Sequence, residues 1–138
     1  MKLMGIDYGR RRIGLSVGGE GGTPVRGLPT IDRKKDPGFF RTLCALIGRE
    51  MPGRLVFGLP LDRNDAETVM SREVRAFARK LERRTGLPVS FVDESLTSLQ
   101  AGALLRYRKK KTRRDKGSID KLAACIILDQ YIRENGCV

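Results

Sequence analysis

The sequence predicts an α/β fold: one mixed five-stranded sheet, three antiparallel strands then two parallel ones, with helices on both faces. Three observations carry this expectation. The start of the chain holds three short apolar runs joined by links too short for a crossover helix, as in an antiparallel meander. The middle alternates helix-periodic segments with compact apolar runs, the pattern of parallel strands joined by helices. A final segment carries apolar residues at helical spacing.

Taken in order, Leu3 to Tyr8 reads as a first strand, Gly9-Arg10 as a turn and Ile13 to Val17 as a second strand. A glycine-rich break (Gly18, Gly19, Gly21, Gly22) precedes a third strand expected from Val25 to Ile31. Asp36-Pro37 has the form of a helix cap followed by proline at the first helical position. Phe40, Leu43, Cys44 and Ile47 then recur at helical spacing until Pro52-Gly53. Leu55 to Leu59, closed by Pro60, reads as a buried strand. Asp65 is the expected cap of the next helix, whose inner stripe is Val74, Phe77, Ala78 and Leu81 and whose stop is Gly86. Val89 to Val92 reads as the fifth strand, ending in Asp93-Glu94. Thr97 with Gln100 fits a capping box opening a helix through Leu104. Ser118 is the expected cap of the last helix, with Ile119, Leu122, Ala123, Ile126, Ile127 and Tyr131 inward.

At 138 residues the chain is expected to form one domain, large enough to bury a core without covalent staples. Lys and Arg number 28 against 16 Asp and Glu, a formal charge of +12. An excess of that size points to a polyanionic partner, nucleic acid above all. The chain contains no histidine. That excludes Ser-His-Asp and Cys-His nucleophiles and His-ligated zinc. Cys44, Cys125 and Cys137 are scattered, which argues against a thiolate zinc site or a disulfide framework and for a reducing, cytoplasmic setting. No signal peptide and no membrane-spanning apolar run is evident.

Chemistry must then rest on carboxylates. Most acids have structural explanations as caps or solvated partners of Arg and Lys. Asp7 ends one apolar strand, where it is either a turn former or a functional group. Asp93-Glu94 ends another, and neighbours on a strand face opposite ways, so only one of the two points easily into a shared site. Asp120 falls early in the last helix, where the helix dipole alone would favour it. Ligands of open sheets collect at the carboxyl ends of strands, where both strand-borne acids lie. Three convergent carboxylates make an all-oxygen site suited to Mg²⁺ or Mn²⁺. Together with the basic charge, they favour a metal-dependent nuclease.

Four ordered blocks carry a resemblance: Asp7-Tyr8-Gly9 with Ile13-Gly14-Leu15-Ser16-Val17; Gly58-Leu59-Pro60; Asp93-Glu94-Ser95-Leu96-Thr97-Ser98; and Asp120 with Ala123-Ala124 and Ile127-Leu128. The chain resembles the bacterial YqgF/RuvX family, described as Holliday-junction resolvases and as pre-16S ribosomal RNA nucleases. The resemblance implies a ribonuclease-H-like fold and catalytic, metal-holding acids at Asp7, Glu94 and Asp120. It thereby selects Glu94 over Asp93, leaving Asp93 and Thr97 in supporting positions around the site. Two departures stand out: Ser95 occupies the place where the family commonly has arginine, and Leu61 to Asp65 lacks the usual glycine.

Between Arg106 and Lys116 lie eight basic residues and one acid. A solvated loop is one reading of such a run. The other is a clamp on backbone phosphates, built from Arg108, Lys109, Lys110, Lys111, Arg113 and Arg114 just ahead of Asp120. Arg10, Arg11 and Arg12 after Asp7 are candidates for a further phosphate contact. The expected partner is structured nucleic acid, with an RNA precursor favoured and branched DNA the alternative. A non-catalytic binder would use the same basic surface. An ATP-dependent phosphotransferase, suggested by the Asp-x-Gly turn, is disfavoured because such folds close two lobes over the nucleotide. A monomer or loose homodimer is expected.

Overall fold

The computed structural model describes residues 1–62, 64–94 and 116–136. Five strands form one sheet: β1 (Leu3–Asp7), β2 (Arg12–Gly18), β3 (Arg26–Asp32), β4 (Arg54–Leu59) and β5 (Val89–Asp93). Their spatial order is β3-β2-β1-β4-β5. β1, β2 and β3 pair antiparallel, whereas β4 pairs parallel with both β1 and β5. The expected three-plus-two arrangement is therefore present. Three helices pack on it: α1 (Phe39–Glu50), α2 (Val69–Thr85) and α3 (Lys116–Asn135). The helix expected from Thr97 to Leu104 lies outside the described residues.

Side chains alternate along each strand, so one strand serves two cores. Met4 and Ile6 of β1, Ile13, Leu15 and Val17 of β2, and Leu55, Phe57 and Leu59 of β4 meet Leu43 and Ile47 of α1 and Val74, Ala78 and Leu81 of α2. Leu3, Val56 and Val92 point the other way, onto Ile127, Leu128 and Tyr131 of α3. Helices thus cover both faces. The buried Ser16 hydroxyl donates to the Ala124 carbonyl at 2.8 Å and fixes α3 over β2. Among the described residues no helix is long and apolar enough to cross a membrane.

Three caps differ from expectation. α1 begins after Gly38 with no side-chain cap; the Asp36 carboxylate instead accepts from the Thr42 hydroxyl at 2.6 Å. α2 is capped by Thr68, not Asp65. The Thr68 hydroxyl accepts from the Ser71 amide at 3.0 Å, and Ser71 accepts from the Thr68 amide at 2.7 Å. The same Thr68 hydroxyl donates to the Pro60 carbonyl at 2.7 Å, which ties the start of α2 to the end of β4. Asp65 lies in the preceding turn with φ 58°. α3 already runs at Lys116, so Ser118 is inside the helix. Its buried line is Ala124, Ile127, Leu128 and Tyr131, while Leu122, Ala123 and Ile126 are half-buried.

Candidate active site

Asp7 closes β1, and the residue after it fixes its orientation. Tyr8 turns into the α1/α2 core, its ring centroid 4.7 Å from that of Phe77. Arg33 donates to the Tyr8 hydroxyl at 3.1 Å and to the Gly9 carbonyl at 3.0 Å, and its guanidinium lies 4.3 Å from the Phe39 ring centroid. The turn after Asp7 is thus held on one side of the sheet. By alternation Asp7 belongs to the opposite side, the α3 face that Leu3 also occupies.

Two glycines show what surrounds it there. Asp7 pairs with Gly14 across the β1–β2 ladder. A Cβ on Gly14 would lie 3.1 Å from the Asp120 Cβ and would overlap the Asp120 carbonyl. On the other side, β1 pairs with β4 up to Ile6 and Phe57, so Gly58 is next in register beside Asp7. A Cβ on Gly58 would lie 2.9 Å from Glu94 Cγ, 3.0 Å from Glu94 Oε1 and 2.6 Å from Ile127 Cδ1. Gly14 and Gly58 therefore leave the sheet bare on either flank of Asp7, and Asp120 and Glu94 fill the two gaps.

Glu94 is placed by the strand before it. Its amide donates to the Leu59 carbonyl at 3.1 Å, extending the β4–β5 pairing by one residue. Val92 packs against α3, so Glu94, two residues on, shares that face. Asp93 pairs in register with Leu59, whose side chain belongs to the opposite core. Its carbonyl accepts from the Gln130 amide of α3 at 2.9 Å. Asp93 thus links β5 to α3 through its backbone.

Asp120 sits more than one turn inside α3, so the helix dipole is not what holds it. Arg12 holds it: the guanidinium Nε stands 2.9 Å from Asp120 Oδ2, and both side chains are roughly three-quarters buried. Arg10 and Arg11 are also paired, Arg10 with Glu73 at 3.1 Å and Arg11 with Asp32 at 3.0 Å. The Arg10 hydrogen bond holds the Glu73 carboxyl below its usual range, and Arg11 does the same to Asp32. Both pairs therefore stay ionised at neutral pH. Each guanidinium carries five N–H donors, so one ion pair leaves capacity for a phosphate. Thr97 and Arg108, Lys109, Lys110, Lys111, Arg113 and Arg114 lie outside the described residues.

The fit to a divalent cation can be judged from these donors. Mg²⁺ and Mn²⁺ take oxygen ligands, and the three acids on this face supply only oxygen, beside a strand edge cleared by two glycines. The donor chemistry fits. Among the described residues, however, no three acids, cysteines or histidines are gathered closely enough to hold an ion. Asp120 would have to be shared with Arg12 or released by it.

Sequence reasoning missed Arg33, Gln130 and the pairing of Arg12 with Asp120. Gly14 and Gly58 were visible as parts of the ordered blocks, but their service as gaps for Asp120 and Glu94 appears only in three dimensions.

Comparison with known proteins agrees with this architecture. Two solved resolvase structures share the fold: Thermus thermophilus RuvC, with TM-score 0.60 and 17% identity over 99% of this chain and 98% of that one, and the fowlpox virus resolvase in complex with Holliday junction DNA, with TM-score 0.62 and 10% identity over 97% and 98%. Sequence relatives are nearer. A protein of Moorella thermoacetica is 38% identical over 136 residues, covering 99% of this chain and 97% of its own. One of Nitratidesulfovibrio vulgaris is 39% identical over 132 residues, covering 96% and 93%. Both bear the name "Putative pre-16S rRNA nuclease". Residues 1–134 match the family described as RuvX: Holliday junction resolvase. With one sheet order, one ordered set of motifs and a match over nearly its whole length, the chain belongs to the RuvX family.

Proposed function

We propose that this chain is a metal-dependent endonuclease of structured nucleic acid, acting in the cytoplasm on the precursor of small-subunit ribosomal RNA. The reading is supported by the placement of Asp7, Glu94 and Asp120, from three distant parts of the chain, toward one face of the sheet, with Asp120 beside Gly14 and Glu94 beside Gly58 on the two flanks of Asp7. The substrate follows the names borne by the sequence relatives, and the scattered cysteines suit a reducing compartment. Cleavage of branched DNA is the second reading, favoured by the junction-bound neighbour and the family description. The whole chain is read as one nuclease domain, a monomer or loose homodimer.

Asp7, Glu94 and Asp120 are the residues that would hold Mg²⁺ or Mn²⁺; zinc and ATP have no part in this reading. Divalent ions, when bound, supply an activated water and charge stabilisation for the leaving oxygen of a phosphodiester. The remaining work belongs to the chain's own residues. Tyr8 and Arg33 hold the turn after Asp7 rigid, which fixes the carboxylate against a phosphate approaching the sheet edge. Arg10 and Arg11, more than half exposed at their side chains, offer spare donors to phosphate oxygens beside that turn. Gln130 keeps the end of β5, and so Glu94, against α3.

Arg12 competes for Asp120. The Arg12–Asp120 pair is largely buried, so it is worth at least the roughly 0.2–1 kcal/mol of an exposed pair. Arg12→Gln is therefore expected to lower the Mg²⁺ concentration giving half-maximal cleavage by at least about 1.4- to fivefold, read from a metal titration of the rate. A higher requirement would mean that Arg12 helps to assemble the acids. The basic run is tested separately. Neutralising Lys109, Lys110 and Lys111 to Gln is expected to weaken binding of a stem-loop RNA and to flatten its dependence on salt. Unchanged affinity and slope would make that run a solvated segment.

The decisive test of the reading itself is cleavage of a labelled precursor RNA and of a four-way DNA junction, with Mg²⁺, with Mn²⁺ and with chelator. Cleavage that proceeds equally in chelator would overturn it.

A further inference from the structure

Helix α2 carries six basic residues and two acids, and they are not spread evenly round it. At 3.6 residues per turn, Arg72, Arg79 and Arg83 fall within an arc of about 40° and span about 16 Å of helix. All three are exposed. The buried residues Val74, Ala78 and Leu81 lie on the opposite side, so this line of arginines lies on the solvent side of the helix, Arg79 also bordering the cleft between α2 and β5.

The other charges of the helix sit off this line, Arg84 on the flank near Cys44 of α1. Glu73 is held by Arg10, and Arg75 by Glu67 while its guanidinium lies 5.0 Å from the Phe91 ring centroid. Lys80 sits 4.4 Å from the Phe40 ring centroid. Glu82 lies on the flank next to β5, in a small cleft it shares with Arg75, Arg79, Val89 and Phe91. Arg72, Arg79 and Arg83 enter no ion pair among the described residues; Lys34, Lys35 and Arg133 do not either, but only the three arginines fall on one helix line. A line of exposed guanidinium groups in no close ion pair, with Glu67 near Arg72 and Glu82 near Arg79 as its neighbouring acids, can grip phosphates with two donors each and suits a polyanion.

Its position relates it to the acids. The Thr68–Pro60 hydrogen bond ties the start of α2 to the end of β4, and Arg10, in the turn after Asp7, reaches Glu73 next to Arg72. The line therefore begins near the sheet edge that bears Asp7 and runs away from it on the α2 side. Glu94 and Asp120 lie on the α3 side. Phosphates held among the acids cannot also be those lying along α2.

We propose that Arg72, Arg79 and Arg83 form a second phosphate-binding surface, which holds a separate duplex arm of a branched or stem-loop nucleic acid while another strand lies at the acids. This rests on the nucleic-acid reading above and adds to it the place on the chain that holds the second arm. Unbranched single strands gain nothing from this surface.

The test is binding of a four-way DNA junction to the full chain across a salt series. Changing Arg72, Arg79 and Arg83 together to Gln removes three phosphate contacts. The slope of log affinity against log salt is expected to fall by about 2 to 3, at about 0.9 per contact. The Lys triple at the same positions keeps the slope. A charge-matched control, Lys34, Lys35 and Arg133 changed to Gln, removes equally exposed charges elsewhere and leaves the slope nearly unchanged. Single-stranded DNA of the same composition loses little affinity with either triple. An unchanged slope for the α2 triple, or equal losses for the two Gln triples, overturns the proposal. Wild-type protein that binds the junction with the expected slope yet cuts neither it nor the precursor RNA with divalent ions sinks the nuclease reading and leaves this surface standing. Protein that binds no junction sinks this surface as well.

Discussion

Replacing Asp7 by asparagine leaves a folded protein whose divalent-dependent cleavage falls by at least about 100-fold, the upper end of what losing a supporting contact to a metal ligand costs. The change alters one atom of a short side chain at the end of β1. It disturbs neither the Asp7–Gly14 strand pairing nor the Tyr8 ring against Phe77, so the melting temperature should stay close to that of the parent protein. What is lost is a negative oxygen on the strand flanked by Gly14 and Gly58, the glycines that Asp120 and Glu94 adjoin. The measurement pairs a cleavage assay in Mg²⁺ and Mn²⁺ with thermal unfolding of the same preparation. Full cleavage by a folded Asp7→Asn protein removes Asp7 from the catalytic assignment, and the cut must then come from other groups or from a contaminating nuclease.

The second large effect separates two glycines. At Gly14 an added methyl meets the Asp120 backbone carbonyl, which moves only if α3 moves. Gly14→Ala is therefore expected to destabilise the protein by about 1–3 kcal/mol, the usual cost of overpacking, and to lower activity with it. At Gly58 the added methyl meets the Ile127 methyl and the Glu94 side chain, both flexible ends. Gly58→Ala should cost less stability yet impair cleavage strongly, because the group that gives way is Glu94. Chemical denaturation and cleavage rates of the two variants, measured side by side, decide this. Equal losses of stability, with Gly58→Ala fully active, would mean that the bare strand flanks serve packing alone.

The sheet was legible from sequence because its strands are short apolar runs separated by strong breaks, such as Pro60 and Gly86. The caps were not. Asp36 and Asp65 have the right chemistry, but the cap is whichever polar residue the preceding loop delivers to the first free amides; at α2 that loop is tied to the Pro60 carbonyl through Thr68. The buried face of α3 was half right. Apolar residues run from Leu122 to Leu128, so periodicity alone defines no phase, and docking at Ser16 sets Ala124 and Leu128 inward. At β5 the strand pattern said only that Asp93 and Glu94 face opposite ways. Val92 against α3 puts Glu94 on the side of Asp7. The pairing of Arg12 with Asp120 joins residues 108 positions apart and left no trace in local sequence.

The central claim is that acids from β1, the end of β5 and α3 serve one divalent ion site. Crystals of the protein grown with Mn²⁺, with the manganese located by its anomalous scattering, test it most directly. The account predicts a peak within ligand distance of Asp7 and at least one of Glu94 and Asp120, with Asp120 turned from Arg12 or shared with it. A peak elsewhere on the surface, or none at saturating Mn²⁺ with the Arg12–Asp120 pair intact, would contradict it.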